Sequence, residues 1–384
     1  MRRKILRTAL PMALVASANA QRLAKPTIDT VNHHIVRTMN SGPAAWTDTN
    51  GWKLVYERTV QPKDGSPGAL GEPYHALLLA DGRLIVHDEK PKAIHLYDAS
   101  GRFVRNLGRE GEGPGEFRDI NPALFHDTLV LQDPKLARGT VMTLEGKAVR
   151  SFPTVCCQFG PPVSVDDRGR LRVLASLKGP DVSRSQWMYF DLSGKRVDSL
   201  VAPTAVKPMV WQQKTANGST TFYVPLAPQN SYAYLHDGSI LYGSTGRYEL
   251  MLSRNGRDTI RIFGRSDIKP IPVSSAVRDS QFHRIVDKNE RARAVASIGD
   301  IPSTYPLWGS VDEDGDGNFW VWRSTGRGLP ARYDVFNRSG AFLGEVAIPF
   351  GKGQVGSWTR DHVAVMDTDA DELPRIRIYR IVRK

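Results

Sequence analysis

Apolar and polar positions along the chain fall into short runs separated by turn residues. LLLADGRLIVHD (77–88) places Asp-Gly between two strand-like runs, and VSVDDRGRLRVLA (163–175), YAYLHDGSILYGS (232–244) and VDEDGDGNFWVW (311–322) repeat the frame. HDTLVLQD (126–133) and RDHVAVMD (360–367) are shorter versions. Asp-Gly between β-rich runs predicts a tight hairpin, because Gly reaches positive φ without steric cost. Each hairpin is followed by a second one. IHLYDASGRFVRNLG (94–108), VMTLEGKAVRSF (141–152), MYFDLSGKRVDSLV (188–201), YELMLSRNGRDTIRIF (248–263) and RYDVFNRSGAFLGEV (332–346) each read as strand, turn and strand.

The repeating unit is therefore four strands, near 70–117, 120–152, 160–201, 228–263, 305–347 and 350–384. One such unit cannot bury both of its faces, so a ring of them predicts an all-β, six-bladed propeller spanning 49–384. The sixth unit is one strand short, and WKLVYERTV (52–60) is an orphan strand. Pairing the two closes the ring and removes sheet edges that would invite aggregation. One segment breaks the rhythm. In 274–299 Phe282, Ile285 and Val286, then Ala292, Val295 and Ala296, fall at helical spacing before Gly299. That predicts a helical insertion, either a surface decoration or a lid over one face. Residues 21–48 carry no sustained period and read as a flexible lead-in.

GREGEGPGEFRDINPA (108–123) adds a specific signature. Its Gly108, Gly111, Gly113, Pro114, Gly115, Phe117 and Pro122 resemble the linker of NHL-repeat propellers, where a Gly-rich run ends in G-x-F and a Pro opens the next blade. Together with the Asp-Gly turns, this resembles the six-bladed NHL-like propellers of exported bacterial proteins. The resemblance implies a fold and leaves the activity open.

The ends and the composition narrow the setting. MRRKILR is basic, TALPMALVASA is apolar, and Ala18-Asn19-Ala20 forms a small-x-small site. Residues 1–20 thus read as a secretory signal peptide, too short to span a bilayer, and the rest as periplasmic or secreted and not transmembrane. Losing Arg2, Arg3, Lys4 and Arg7 with the leader lowers the formal charge from +12 by four, to +8. The basic residues are scattered singly and do not interleave with aromatics, which argues against a nucleic-acid partner. Cys156 and Cys157 are the two cysteines and are adjacent. A strained vicinal disulfide and two buried thiols both remain open.

DEDGDG (312–317) has the first ligand positions of an EF-hand calcium loop, but the twelfth position is Arg323 and the following residues favour a strand. It reads as one more hairpin turn.

Candidate site residues come from aligning the units on their second strand. The strand closes with Asp88, Asp133 and Asp367 in three blades that neighbour one another in a closed ring, and with Arg323, Ala175 and Ser244 in the others. Three rim carboxylates could hold a divalent cation in the channel, could act as acid and base, or could cap turns as Asp routinely does. Loops leading into the blades add Tyr74, His75, Asn121 and Trp308, and with Trp322 these offer stacking surfaces. His75 and His87 lie at opposite ends of one hairpin. No G-x-S-x-G elbow, P-loop or H-E-x-x-H is present. The first reading is a monomeric binding module that recognises a protein, peptide or glycan through its rim. The alternatives are a metal-dependent hydrolase or lyase of lactonase-like type, with Asp88, Asp133, Asp367 and Asn121 as ligands, and a structural scaffold.

Overall fold

The computed structural model describes residues 26–32, 34–46, 50–155, 163–176, 185–215, 218–283, 301–323, 325–326, 330–351 and 353–383. β1 (Thr27–Val31) and β2 (Ile35–Asn40) form a hairpin, and β3 (Lys53–Val60) follows. Blade 1 is β4 (Pro73–Leu78), β5 (Leu84–Asp88), β6 (Ala93–Tyr97) and β7 (Phe103–Glu110), with β8 (Glu116–Phe117) added parallel to β7. Blade 2 is β9 (Asn121–Phe125), β10 (Thr128–Asp133), β11 (Arg138–Thr143) and β12 (Ala148–Pro153). Blade 3 is β13 (Ser164–Val165), β14 (Arg170–Ser176), β15 (Ser185–Asp191) and β16 (Arg196–Val201). A separate hairpin, β17 (Val210–Thr215) and β18 (Gly218–Tyr223), comes before blade 4. Blade 4 is β19 (Asn230–Tyr234), β20 (Ile240–Ser244), β21 (Glu249–Ser253) and β22 (Arg261–Arg265). The helix α1 (Ser275–His283) precedes blade 5, which is β23 (Trp308–Glu313), β24 (Phe319–Arg323), β25 (Arg332–Phe336) and β26 (Phe342–Ala347). Blade 6 is β27 (Gln354–Trp358), β28 (His362–Thr368) and β29 (Pro374–Val382), completed by β3.

The chain is thus a six-bladed all-β propeller. It closes as the orphan strand requires: β3 runs antiparallel to β29, from Ile376↔Val60 to Val382↔Lys53. The reason for the fold is visible in one strand. Leu84, Ile85 and Val86 are all fully buried, because both faces of the blade are covered. Leu84 and Val86 pack with Ala364, Ile376 and Ile378 of blade 6, while Ile85 packs with Leu129, Leu131 and Met142 of blade 2. A strand covered on both faces has to read as an unbroken apolar run. Four further clusters do the same between blades 2 and 3, 3 and 4, 4 and 5, and 5 and 6.

The Asp-Gly turns are as expected. Gly82 takes φ +88° and its N–H donates to Leu79, while Asp81 accepts from the Arg83 amide. DEDGDG is a turn of the same kind. Asp314 is fully buried and accepts from the Asp316 and Asn318 amides and from Trp320 Nε1 at 3.0 Å.

Two regions differ from the sequence reading. Within the supposed flexible lead-in, Thr27–Val31 and Ile35–Asn40 form strands, and β2 runs parallel to β22 and extends the blade 4 sheet to six strands. β1 is largely exposed, and the buried positions of β2 include the polar Thr38 and Asn40, so no apolar period announced them. The β17–β18 hairpin was not anticipated. Trp211, Val224 and Ala227 of this region pack with Ile301, so the inserts before blades 4 and 5 share one small core. Of the predicted helix, Ser275–His283 is observed, and 284–299 lies outside the described residues, as do the signal segment 1–20 and Cys156 and Cys157. Among the described residues no helix is long and apolar enough to cross a membrane.

Candidate ligand site on the channel rim

At one end of the ring the first strand of a blade begins and the second strand ends. In blades 6, 1 and 2 the two strands meet there in equivalent cross-strand pairs: Gln354↔Met366, His75↔His87 and Asn121↔Gln132. Opposed residues on antiparallel strands share a face. The three pairs therefore present one layer at the same height in neighbouring blades. Tyr74, His75, Asn121, Gln354 and Met366, with Val355 and Gly356, line a cavity of about 130 Å³.

The histidine pair is the chemical centre of this layer. His75 Nδ1 and His87 Nδ1 are 3.3 Å apart, with the ring planes 18° apart and centroids at 5.6 Å. The nitrogens are much closer than the centroids, so the rings meet edge to edge through a shared hydrogen bond. Burial holds the His75 pKa down to about 4. Burial, and then the charge that His75 would carry, hold His87 down to about 3. Both are neutral at pH 7. Tyr74 stands with its ring perpendicular to His75 at 4.8 Å and is 57% exposed. Asn121 Nδ2 donates to Gln132 Oε1 at 3.0 Å, which sets the orientation of both amides.

The strand-closing acids lie one residue further on and serve the backbone. Asp88 is fully buried and accepts from the amides of Gly71, Glu72 and Lys90 at 2.6–3.1 Å. Asp133 accepts from the amides of Arg118, Lys135 and Leu136 at 2.8–3.0 Å. In both blades the acid ties the incoming linker to the turn after the second strand. Asp367 makes ion pairs with Arg375, at 2.8 Å, and with Arg377. Each acid is thus committed within its own blade. Among the described residues no group of three or more His, Cys, Asp or Glu has the arrangement to hold a metal ion. The expected channel cation with Asp88, Asp133 and Asp367 as ligands is therefore not what these carboxylates are placed for.

The aromatic and cationic candidates divide. Trp308, expected as a stacking surface, is fully buried, and its Nε1 donates to the Ser244 and Arg247 carbonyls at 3.1 and 2.7 Å. It is a wedge between blades 4 and 5 rather than a platform. Trp322 packs with the core between blades 5 and 6. Arg323 pairs with Asp334 at 3.1 Å and with Glu345 at 2.8 Å. Arg265 reaches the same two acids, and Tyr248 donates to Asp334 at 2.5 Å. Arg323 also borders a second cavity, about 320 Å³, with Asp267, Lys269 and Leu307.

Sequence reasoning missed Gln132, Gln354 and Met366, and named His87 without joining it to the rim. The signal was present. His87, Gln132 and Met366 each precede the closing Asp, and alternation along a strand sends neighbours to opposite faces.

The family profile described as a 6-bladed beta-propeller, DUF5128, matches residues 70–125. No curated protein matches the sequence significantly. Among solved structures, a Bacteroides fragilis protein named as exported is 10% identical, with 89% of this chain and 99% of that chain covered and a TM-score of 0.48. A member of the DUF4221 family from Bacteroides vulgatus is 12% identical, covering 87% and 99%, with a TM-score of 0.49. Virginiamycin B lyase of Staphylococcus aureus is 10% identical, covering 86% and 100%, with a TM-score of 0.40. Identities this low say nothing about activity.

Proposed function

We propose that this chain is an exported, NHL-like propeller that binds a ligand at its channel rim, on the side formed by blades 6, 1 and 2. The observation that carries the reading is the uncharged polar layer made by the three equivalent cross-strand pairs. It combines an exposed tyrosine, a neutral imidazole backed by a second buried one, and side-chain amides around a cavity. A few placed polar groups beside apolar and aromatic walls are what a small-ligand site requires. The acids that could drive metal chemistry are occupied by backbone amides and arginines. The leader at 1–20 supports export.

The test is a ligand screen by two-dimensional NMR on residues 21–384, using neutral glycosides, dipeptides and amides. Ligands that shift resonances of Tyr74, Asn121 and Gln354, and lose affinity about tenfold or more in Tyr74→Ala, would support the rim site. Shifts confined to other surfaces, or unaffected by Tyr74→Ala, would overturn it.

A further inference from the structure

Glu89, His87 and His75 form a line that ends at the rim cavity. Glu89 Oε1 lies 3.7 Å from His87 Nε2. That is longer than a direct hydrogen bond. It is close enough for the carboxylate charge to favour a proton on that nitrogen. A neutral imidazole carries one N–H, so His87 Nδ1 is then a lone pair. His75 Nδ1, 3.3 Å away and aligned edge to edge, has to be the donor of the shared hydrogen bond. His75 is neutral as well, so its single proton is spent on Nδ1. Its Nε2 has no hydrogen-bond partner among the described residues, and it is not among their buried unpaired polar atoms, as His95 Nε2 is.

We infer that His75 presents a bare Nε2 acceptor to the rim cavity, fixed in that tautomer by His87 and Glu89, and that the cavity selects a neutral sugar ring by accepting one of its hydroxyl hydrogens there. The inference rests on the rim reading above and names its ligand class. A cavity of about 130 Å³ is well below the range of about 300–1,000 Å³ typical of drug-sized ligands, so it takes one ring rather than a folded peptide. Its walls suit a pyranose, which carries hydroxyls at its rim and C–H groups on its faces. Tyr74 offers an exposed aromatic face, Val355 and Met366 an apolar wall, and Asn121 and Gln354 amides for further hydroxyls. Among the described residues, those lining the cavity include no Lys, Arg, Asp or Glu. A charged ligand would therefore lose water without gaining a partner.

The test reads the tautomer first. In protein labelled with ¹⁵N-histidine, long-range proton–nitrogen correlation at pH 7 should show His75 protonated on Nδ1 and bare on Nε2, and His87 protonated on Nε2. A protonated His75 Nε2 overturns the inference. Neutral methyl glycosides and their uronate counterparts are then titrated. The neutral compounds should shift His75 Nε2 and bind at least tenfold more tightly than the uronates. In Glu89→Gln, which leaves the cavity wall intact, the tautomer preference should weaken and glycoside affinity should fall several-fold. Equal binding of uronates, or glycoside binding that leaves Nε2 unmoved, overturns the inference. If only dipeptides or amides bind at Tyr74 and Asn121, the sugar assignment fails while the rim reading stands. If nothing binds at the rim, both fail.

Discussion

His87 and Asp88 are adjacent in β5 and do opposite things. Asp88 holds three backbone amides, while His87 turns toward His75 and the rim. The sequence showed the acid plainly, because it recurs at the end of the second strand in three blades. The residue before it varies from His to Gln to Met, so repetition could not point to it. The histidine pair has a measurable consequence. Unfolded histidines take up protons near pH 6.5, whereas folded His75 and His87 resist until about 4 and about 3. The unfolded state is thus the one that gains protons as pH falls from 6.5 to 4, and stability declines across that window. At 1.36 kcal/mol per unit the pair accounts for at most several kcal/mol, less what partial solvent access removes. His87→Gln should flatten the pH dependence of Tm between 6.5 and 4. An unchanged slope would place the titration elsewhere. Asp312 has the opposite sign. Burial raises it from 3.8 to about 6, so the folded state holds its proton longer and stability falls as pH rises through 6. Some of the residue meets solvent, so the effect is on the order of 1–2 kcal/mol rather than the full shift. Asp312→Asn should be more stable than the parent at pH 8, and the advantage should vanish near pH 4. Chemical denaturation at the two pH values checks both halves.

Legibility at the scale of elements follows burial. β5, β10 and β20 were readable because both faces are covered and each carries an unbroken run of three apolar residues. β1 and β2 were not, because an added edge hairpin needs only one half-covered strand. Asn217-Gly218 in the sequence was a usable hairpin signal for β17 and β18, but it fell outside the four-strand rhythm. What fixes β2 in place is Asn40 at its end. Its side chain donates to the Gly264 and Gly340 carbonyls and accepts from the Phe342 amide, all at 2.9–3.0 Å and all buried. One residue thus joins the N-terminal hairpin to blades 4 and 5. Asn40→Ala leaves buried backbone groups unpaired, at a cost of about 1–3 kcal/mol. The expected result is a lower Tm together with faster amide exchange in β2 and β22. Loss of stability with β2 still protected would mean that Asn40 matters only to the blade 4–5 junction.

At the scale of the whole molecule, six apolar interfaces make a closed ring, and the ring is closed without a covalent link inside blade 6 rather than between two blades. The seam is the ladder between the last strand, β29, and β3, which comes from the N-terminal side and runs on into β4 of blade 1. Val60, 1% exposed, packs there with Ala76, Tyr97 and Ile376. Opening the ring therefore requires β3 to leave β29, after which the free edge of β29 can pair with other chains. A cross-link at the far end of this ladder tests the idea. Lys53 and Val382 are direct partners. In a background with Cys156 and Cys157 changed to Ser, Lys53→Cys with Val382→Cys should form a disulfide that encloses nearly the whole propeller. Closing so long a loop in the unfolded chain stabilises by about 6 kcal/mol in the chain-entropy picture. The oxidised protein should melt on the order of 5–10 °C above its reduced form, since a kcal/mol moves Tm by about 2–4 °C in domains somewhat smaller than this one. It should also lose the tendency to aggregate on partial heating. If oxidation raises Tm but aggregation persists, the exposed edge forms at another interface and β3 is not the seam that opens first. If Tm does not move, unfolding begins with blades still joined across β3 and β29, and the closure would be a late rather than an early event in ring opening.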